Sequence, residues 1–250
     1  MKLVFFAILL AQFAGATTPL DTVRQYIPGT KNIQAFYSVK KGTNVREGIY
    51  RSFHPNAQKA HEGIYVAGKL NGVWKSWFPD GKPWKELTYA NGLEEGNSKE
   101  WNEQGILLND NNYRAGEFEG IQKTFSHSGD PLSEESWKDG KYDGTTRLWE
   151  NKILVRELNY KDGRLNGLLR TWWPDGNPKA EMPFLMGTPN GVVRNFDEIG
   201  NLTFEGEFIK GAKNGIHRKL ENAILVEEQQ WELDVCKKGC TPEPTLPASK

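Results

Sequence analysis

Short apolar and aromatic runs alternate with polar turn residues along this chain, and they return with a fixed beat. A glycine followed five residues later by an apolar residue, mostly an aromatic ring, recurs every 24 residues, with one step of 23. The leading glycines are Gly48, Gly72, Gly96, Gly120, Gly144, Gly167, Gly191 and Gly215. The residues five further on are Phe53, Trp77, Trp101, Phe125, Trp149, Trp172, Phe196 and Leu220. A second series, Gly68, Gly92, Gly116, Gly140, Gly163, Gly187 and Gly211, stands four residues before the next leading glycine. Self-similarity at this period marks a repeat array whose units bury surface by stacking on their neighbours.

Residues 72–95 show what one unit contains. Val73, Trp74, Trp77 and Phe78 form a β-prone run, and Pro79-Asp80-Gly81 supplies turn chemistry, with proline presetting φ and glycine accepting a positive one. Glu86-Leu87-Thr88-Tyr89 reads as a second strand, and Asn91-Gly92 turns the chain again. Each unit is thus one β-hairpin, and nothing in it has a helical period. The tip glycine recurs at Gly81, Gly105, Gly129, Gly176 and Gly200. In two units the tip shortens, to Glu150-Asn151-Lys152-Ile153 and Glu221-Asn222-Ala223-Ile224, a deletion a hairpin tip tolerates. The pattern predicts an all-β, elongated single-sheet solenoid of about eight consecutive 24-residue antiparallel β-hairpin repeats, with the aromatic series as its core stripe.

Two charge series run through every unit. Three residues after each leading glycine stands a base: Arg51, Lys75, Lys99, Lys123, Arg147, Arg170, Arg194 or Arg218. Farther along stands an acid: Glu62, Glu86, Asp110, Glu134, Glu157, Glu181, Glu205 or Glu228. A two-residue tip would set base and acid opposite one another, whereas a three-residue tip would shift the register by one and put them on opposite faces. Either arrangement points first to a structural role, and second to a charged track for a ligand. Trp74, Phe78, Trp84 and Trp173 lack counterparts in most units, so they are candidate partner-binding anchors or thicken a thin core.

The ends differ from the array. Lys2, an apolar run over residues 3–10 and Ala14-Gly15-Ala16 fit a cleaved export leader, residues 1–16, so the protein is expected in the periplasm or the medium. Residues 17–47 look like a cap with a degenerate half repeat, and the array proper spans 48–235. Cys236 and Cys240, the only two cysteines, are expected to close a small disulfide loop in an oxidising compartment. The tail to residue 250 carries three prolines and is expected to be disordered. Formal net charge is zero, which argues against an extended basic surface for nucleic acid. His54, His61, His127 and His217 occupy different positions in the unit, with no ligand spacing, and no phosphate-cradling or nucleophile-elbow motif is present. No catalytic set, metal site or cofactor is expected.

Segments such as Tyr65-Val66-Ala67-Gly68-Lys69-Leu70-Asn71-Gly72 and Tyr160-Lys161-Asp162-Gly163-Arg164-Leu165-Asn166-Gly167 resemble the MORN repeat. The longer unit with its inserted Pro-Asp-Gly tip is similar to the bacterial MORN variant of YwqK-type antitoxins. The resemblance implies a scaffold of successive antiparallel hairpins that binds proteins or, in some members, membrane lipid. The expected function is therefore an exported, non-enzymatic scaffold for a protein partner, antitoxin-like or immunity-like. The alternative is a binder of envelope polymer or lipid head groups through the out-of-phase aromatics and the Lys/Arg series. The identity of the partner and the oligomeric state are not legible in the chain.

Overall fold

The computed structural model describes residues 19–240, so the leader expected over 1–16 and the tail 241–250 expected to be disordered lie outside the described residues. Among the described residues there are 24 strands and no helix, all in one open antiparallel sheet that does not close into a barrel. Each long strand pairs with the one before it and the one after it.

The unit follows directly from its turn residues. Strand Gly72–Trp77 pairs with Pro83–Ala90. Between them the Phe78 N–H donates to the Lys82 carbonyl and the Gly81 N–H to the Phe78 carbonyl, which encloses the three-residue loop Pro79-Asp80-Gly81. Gly81 sits at φ +86°, the left-handed conformation that closes such a loop. The shortened units close through two residues, Asn151-Lys152 and Asn222-Ala223, all four at positive φ. Consecutive hairpins are joined by a second tight turn, such as Ala67-Gly68 at φ +49° and +81°, the pair of values a type I′ turn requires.

Every hairpin also carries a one-residue bulge. In the type unit Ser76 pairs with Lys85 but Trp77 pairs with Pro83, so Trp84 has no opposite number. The equivalent extra residues are Ala60, Leu108, Leu132, Val155, Lys179, Thr203 and Val226. The bulge adds back the step that the tip geometry removes, and so settles the register left open by the sequence. Base and acid lie directly opposite one another in all eight hairpins, whether the tip is long or short. They are also opposite across the seven junctions between these hairpins, from Glu62 facing Lys75 to Glu205 facing Arg218. One row of alternating charge therefore crosses the sheet, one residue per long strand.

A single layer has no interior, and burial reflects this. No large side chain among the described residues is fully buried. The expected core stripe is half-buried throughout, from Phe53 to Phe196. The ring series shares the charge row's face, as strand alternation requires; Lys59 Nζ, for example, lies 4.8 Å from the Trp77 ring centre. The most buried positions lie on the reverse face: Ser52, Ser76, Ser98, Gln122, Thr146, Val193 and His217. The aromatic stripe is thus a cover on one side of a thin sheet, and small or polar residues occupy its tightest sites.

The first edge differs from the sequence expectation, whereas the last carries the expected disulfide loop. Residues 17–47 hold more than a half repeat, because Leu20–Tyr26 pairs with Ile33–Lys40 to make a whole additional hairpin. At the other end Val235–Lys238 pairs with Ile224–Glu232, and Cys236 is disulfide-bonded to Cys240, with Cα atoms 6.0 Å apart.

The leading glycines occupy φ from +65° to +123°, where the chain kinks between hairpins. At Gly191, φ +123°, an added Cβ would also meet Pro183 Cγ at 2.9 Å, whereas Gly72, at +82°, has open space. Gly191→Ala is expected to cost about 1–3 kcal/mol and to cost more than Gly72→Ala, measured as the shift in urea midpoint. Equal losses at the two sites would contradict the close approach at Pro183.

Candidate binding surface

The two faces offer different chemistry. On the charge face, ion pairs run without a break through Lys123, Glu134, Arg147, Glu157, Arg170 and Glu181, at N–O distances of 2.9–3.6 Å. A second run joins Arg194, Glu205, Arg218 and Glu228. Arg51, Lys75 and Lys99 pair with Glu62, Glu86 and Asp110. Each inner base has an acid on both sides in register, so the row presents little net field to solvent. Single exposed pairs of this kind contribute roughly 0–1 kcal/mol each, more when networked.

Beside this row, towards the inter-hairpin turns, the same face exposes aliphatic side chains. Ile49, Ile64, Val66 and Val73 stand 43–46% exposed in the first two units, with Ile49 directly opposite Ile64. A second group, Leu185, Val192, Ile209 and Ile216, lies in the last three units. A contiguous apolar patch rimmed by paired charge is the usual appearance of a protein contact surface. Sequence reading missed it because an apolar residue in a strand reads as core. The position one residue after each leading glycine, set against the charged position two further on, was the available clue.

The reverse face is an aromatic pavement. Ring centres of Tyr113, Phe118, Trp137, Tyr142 and Tyr160 follow one another at 4.0–5.2 Å. The Tyr142 hydroxyl donates to the Glu135 carboxylate at 3.0 Å, and burial together with that charge pushes the phenol up to about 12. His217 is buried, with Nε2 2.8 Å from the Glu207 carbonyl and its ring against Phe208.

The four aromatics singled out by the sequence fall in three places. Trp74 lies on the reverse face, 5.4 Å from Tyr50 and 5.7 Å from His61, and its indole N–H donates to Ser76. It covers Gly63, where an added Cβ would run into the ring. The same exchange recurs six units along, where His217 covers Gly206. A ring over a strand glycine replaces the contacts that the glycine lacks. Trp173 donates its indole N–H to the Phe196 carbonyl of the next unit at 3.1 Å, as Asn102 does from the equivalent position to His127. Trp74 and Trp173 thus tie the scaffold together. Phe78 and Trp84 are 5.8 Å apart and line an open groove at the hairpin tips with Trp101, Asn102, Leu108 and His127. Trp84, at 37% exposed, is the freest of the four.

Among the described residues no three His, Cys, Asp or Glu side chains stand close enough together to hold a metal ion. Among the described residues no helix is long and apolar enough to cross a membrane.

Burial pushes the Glu62 carboxyl up, but hydrogen bonds from Lys59 and Arg51 outweigh it and hold the group below its ordinary value of 4.5. A carboxyl lowered on folding adds stability above its unfolded value and loses it as pH falls through the folded one. The stability advantage of the wild type over Glu62→Gln is therefore expected in full above pH 4.5 and should close with acidification, followed by thermal melting across pH. An advantage unchanged at pH about 3 would contradict this pairing. Trp74→Ala is expected to cost about 2 kcal/mol, below the value for a fully buried Trp, while Trp84→Ala leaves the urea midpoint almost unchanged.

The family model for the MORN repeat variant matches the chain at two places, residues 70–91 and 165–185. Both stretches begin in the short strand before a leading glycine and end at or near the next inter-hairpin turn, so they coincide with the observed unit. No curated protein matches the chain.

Proposed function

We propose that this chain is an exported MORN-variant scaffold that acts by binding a protein partner rather than by catalysis. The observation that carries the reading is the exposed aliphatic patch of Ile49, Ile64, Val66 and Val73 beside the charge row. Apolar area of this kind gains most from a partner that brings its own apolar side chains, and rim charges that alternate in sign favour a polar protein edge. Export to the periplasm or the medium rests on the leader-like residues 1–16. An antitoxin-like or immunity role is the specific form suggested by the YwqK-type resemblance, and its partner would be a toxin acting in that compartment.

The competing reading is attachment to anionic lipid head groups or envelope polymer through the basic series. It draws less support, because each inner base of the series is already flanked by two acids, which cancels much of the attraction to phosphate. The groove of Phe78 and Trp84 could serve either partner and marks a second contact point.

Immobilised protein is expected to retain a stoichiometric protein partner from its native envelope fraction, and Ile64→Lys with Val73→Glu, which sets opposite charges across the junction, should abolish that retention with little change in the melting curve. Parallel incubation with anionic vesicles and with peptidoglycan should show no retention. Binding to either that is released by high salt would contradict the protein-scaffold reading.

A further inference from the structure

The two ends of the sheet are built differently, and the difference bears on assembly. The C-terminal edge is the four-residue strand Val235–Lys238, which carries Lys237 and Lys238 and is turned back by the Cys236–Cys240 disulfide. A short, lysine-bearing, bent strand is how natural sheets protect an edge. The N-terminal edge, Leu20–Tyr26, has seven residues, nearly all exposed, and none of these protections. Among the described residues nothing covers its outer side.

The backbone hydrogen bonds show which groups are free there. The Lys41 N–H donates to the Pro19 carbonyl at 3.0 Å, and Leu20–Tyr26 runs opposite Ile33–Lys40 in one continuous register as far as Gln25. Antiparallel alternation then turns the amides of Asp21, Val23 and Gln25 inward and those of Leu20, Thr22 and Arg24 outward. The outward set is a template for one more antiparallel strand.

We propose that a second copy of this chain fills it, with the two Leu20–Tyr26 edges pairing antiparallel about a two-fold axis through Val23 and perpendicular to the sheet. Such an axis preserves the faces, so only residues of equal parity can meet. Thr22 then faces Arg24 of the second copy, and each pair exchanges two backbone hydrogen bonds. Leu20, 45% exposed, faces Tyr26 of the second copy, itself 51% exposed, so the two least covered apolar side chains of the edge cover one another. Asp21 meets Gln25 and Val23 meets itself, so no like charges stand opposite one another. Because the other edge is protected, association closes at two copies rather than growing into a filament.

The purified protein is expected to sediment as a dimer at micromolar concentration. Thr22→Pro removes an outward N–H without touching the internal ladder, and should give a monomer with an unchanged far-ultraviolet spectrum. Leu20→Lys with Tyr26→Lys sets like charges opposite one another and should also give a monomer, whereas Leu20→Lys with Tyr26→Glu should restore the dimer. A monomeric wild type would overturn the proposal, as would a dimer that persists in Thr22→Pro or in the double-lysine variant.

Discussion

A one-layer sheet cannot rely on a buried interior, so its register must be held by side chains that remain partly in water. Here that constraint is met by the bulge in each hairpin. The extra residue opposite the tip-proximal pair shifts the returning strand by one, which brings Lys75 against Glu86 and its equivalents into line from strand to strand. Without it the long-tip hairpin would set Lys75 against Lys85, and in each unit the acid would move to the face opposite its base, so the charge row would break up. Each ion pair contributes little alone; the alternation across successive strands makes the register self-consistent.

The two aromatic series follow from the same register. The rings five residues after each leading glycine cover the charge face near the tips, while those of Tyr113, Trp137 and Tyr160 pave the reverse face near the junctions. Opposite the first series, the reverse face is filled by small residues such as Ser52 and Ser76. Where a glycine interrupts the pavement, at Gly63 and Gly206, a ring from the next unit lies over it. Cohesion is therefore between neighbouring units.

Much of this was legible in the chain. The period, the hairpin, the long and short tips and the disulfide all follow from glycine, proline and cysteine placement, because those residues encode backbone conformation directly. The bulge was not legible. Its occupants, Ala60, Trp84, Leu108, Lys179 and Thr203 among them, share no chemistry, since the site demands only an extra residue and not a type. The first hairpin was read as half a unit because Leu20–Tyr26 lacks the leading glycine. Trp74 and Trp173 were singled out as unusual, and they are, but their irregularity answers to Gly63 and to the Phe196 carbonyl inside the scaffold. The exposed aliphatic patch escaped notice because period-two patterning does not say which of two faces meets solvent when neither is a core.

The register created by the bulge is the claim on which the charge row, both aromatic series and the placement of the exposed patch depend. Paired cysteines test it directly, because only residues opposite one another on one face can be bridged. Lys75→Cys with Glu86→Cys is expected to oxidise rapidly to an intramolecular disulfide, while Lys75→Cys with Lys85→Cys stays reduced. The reverse outcome would mean that the hairpin closes without its bulge, and would contradict the account.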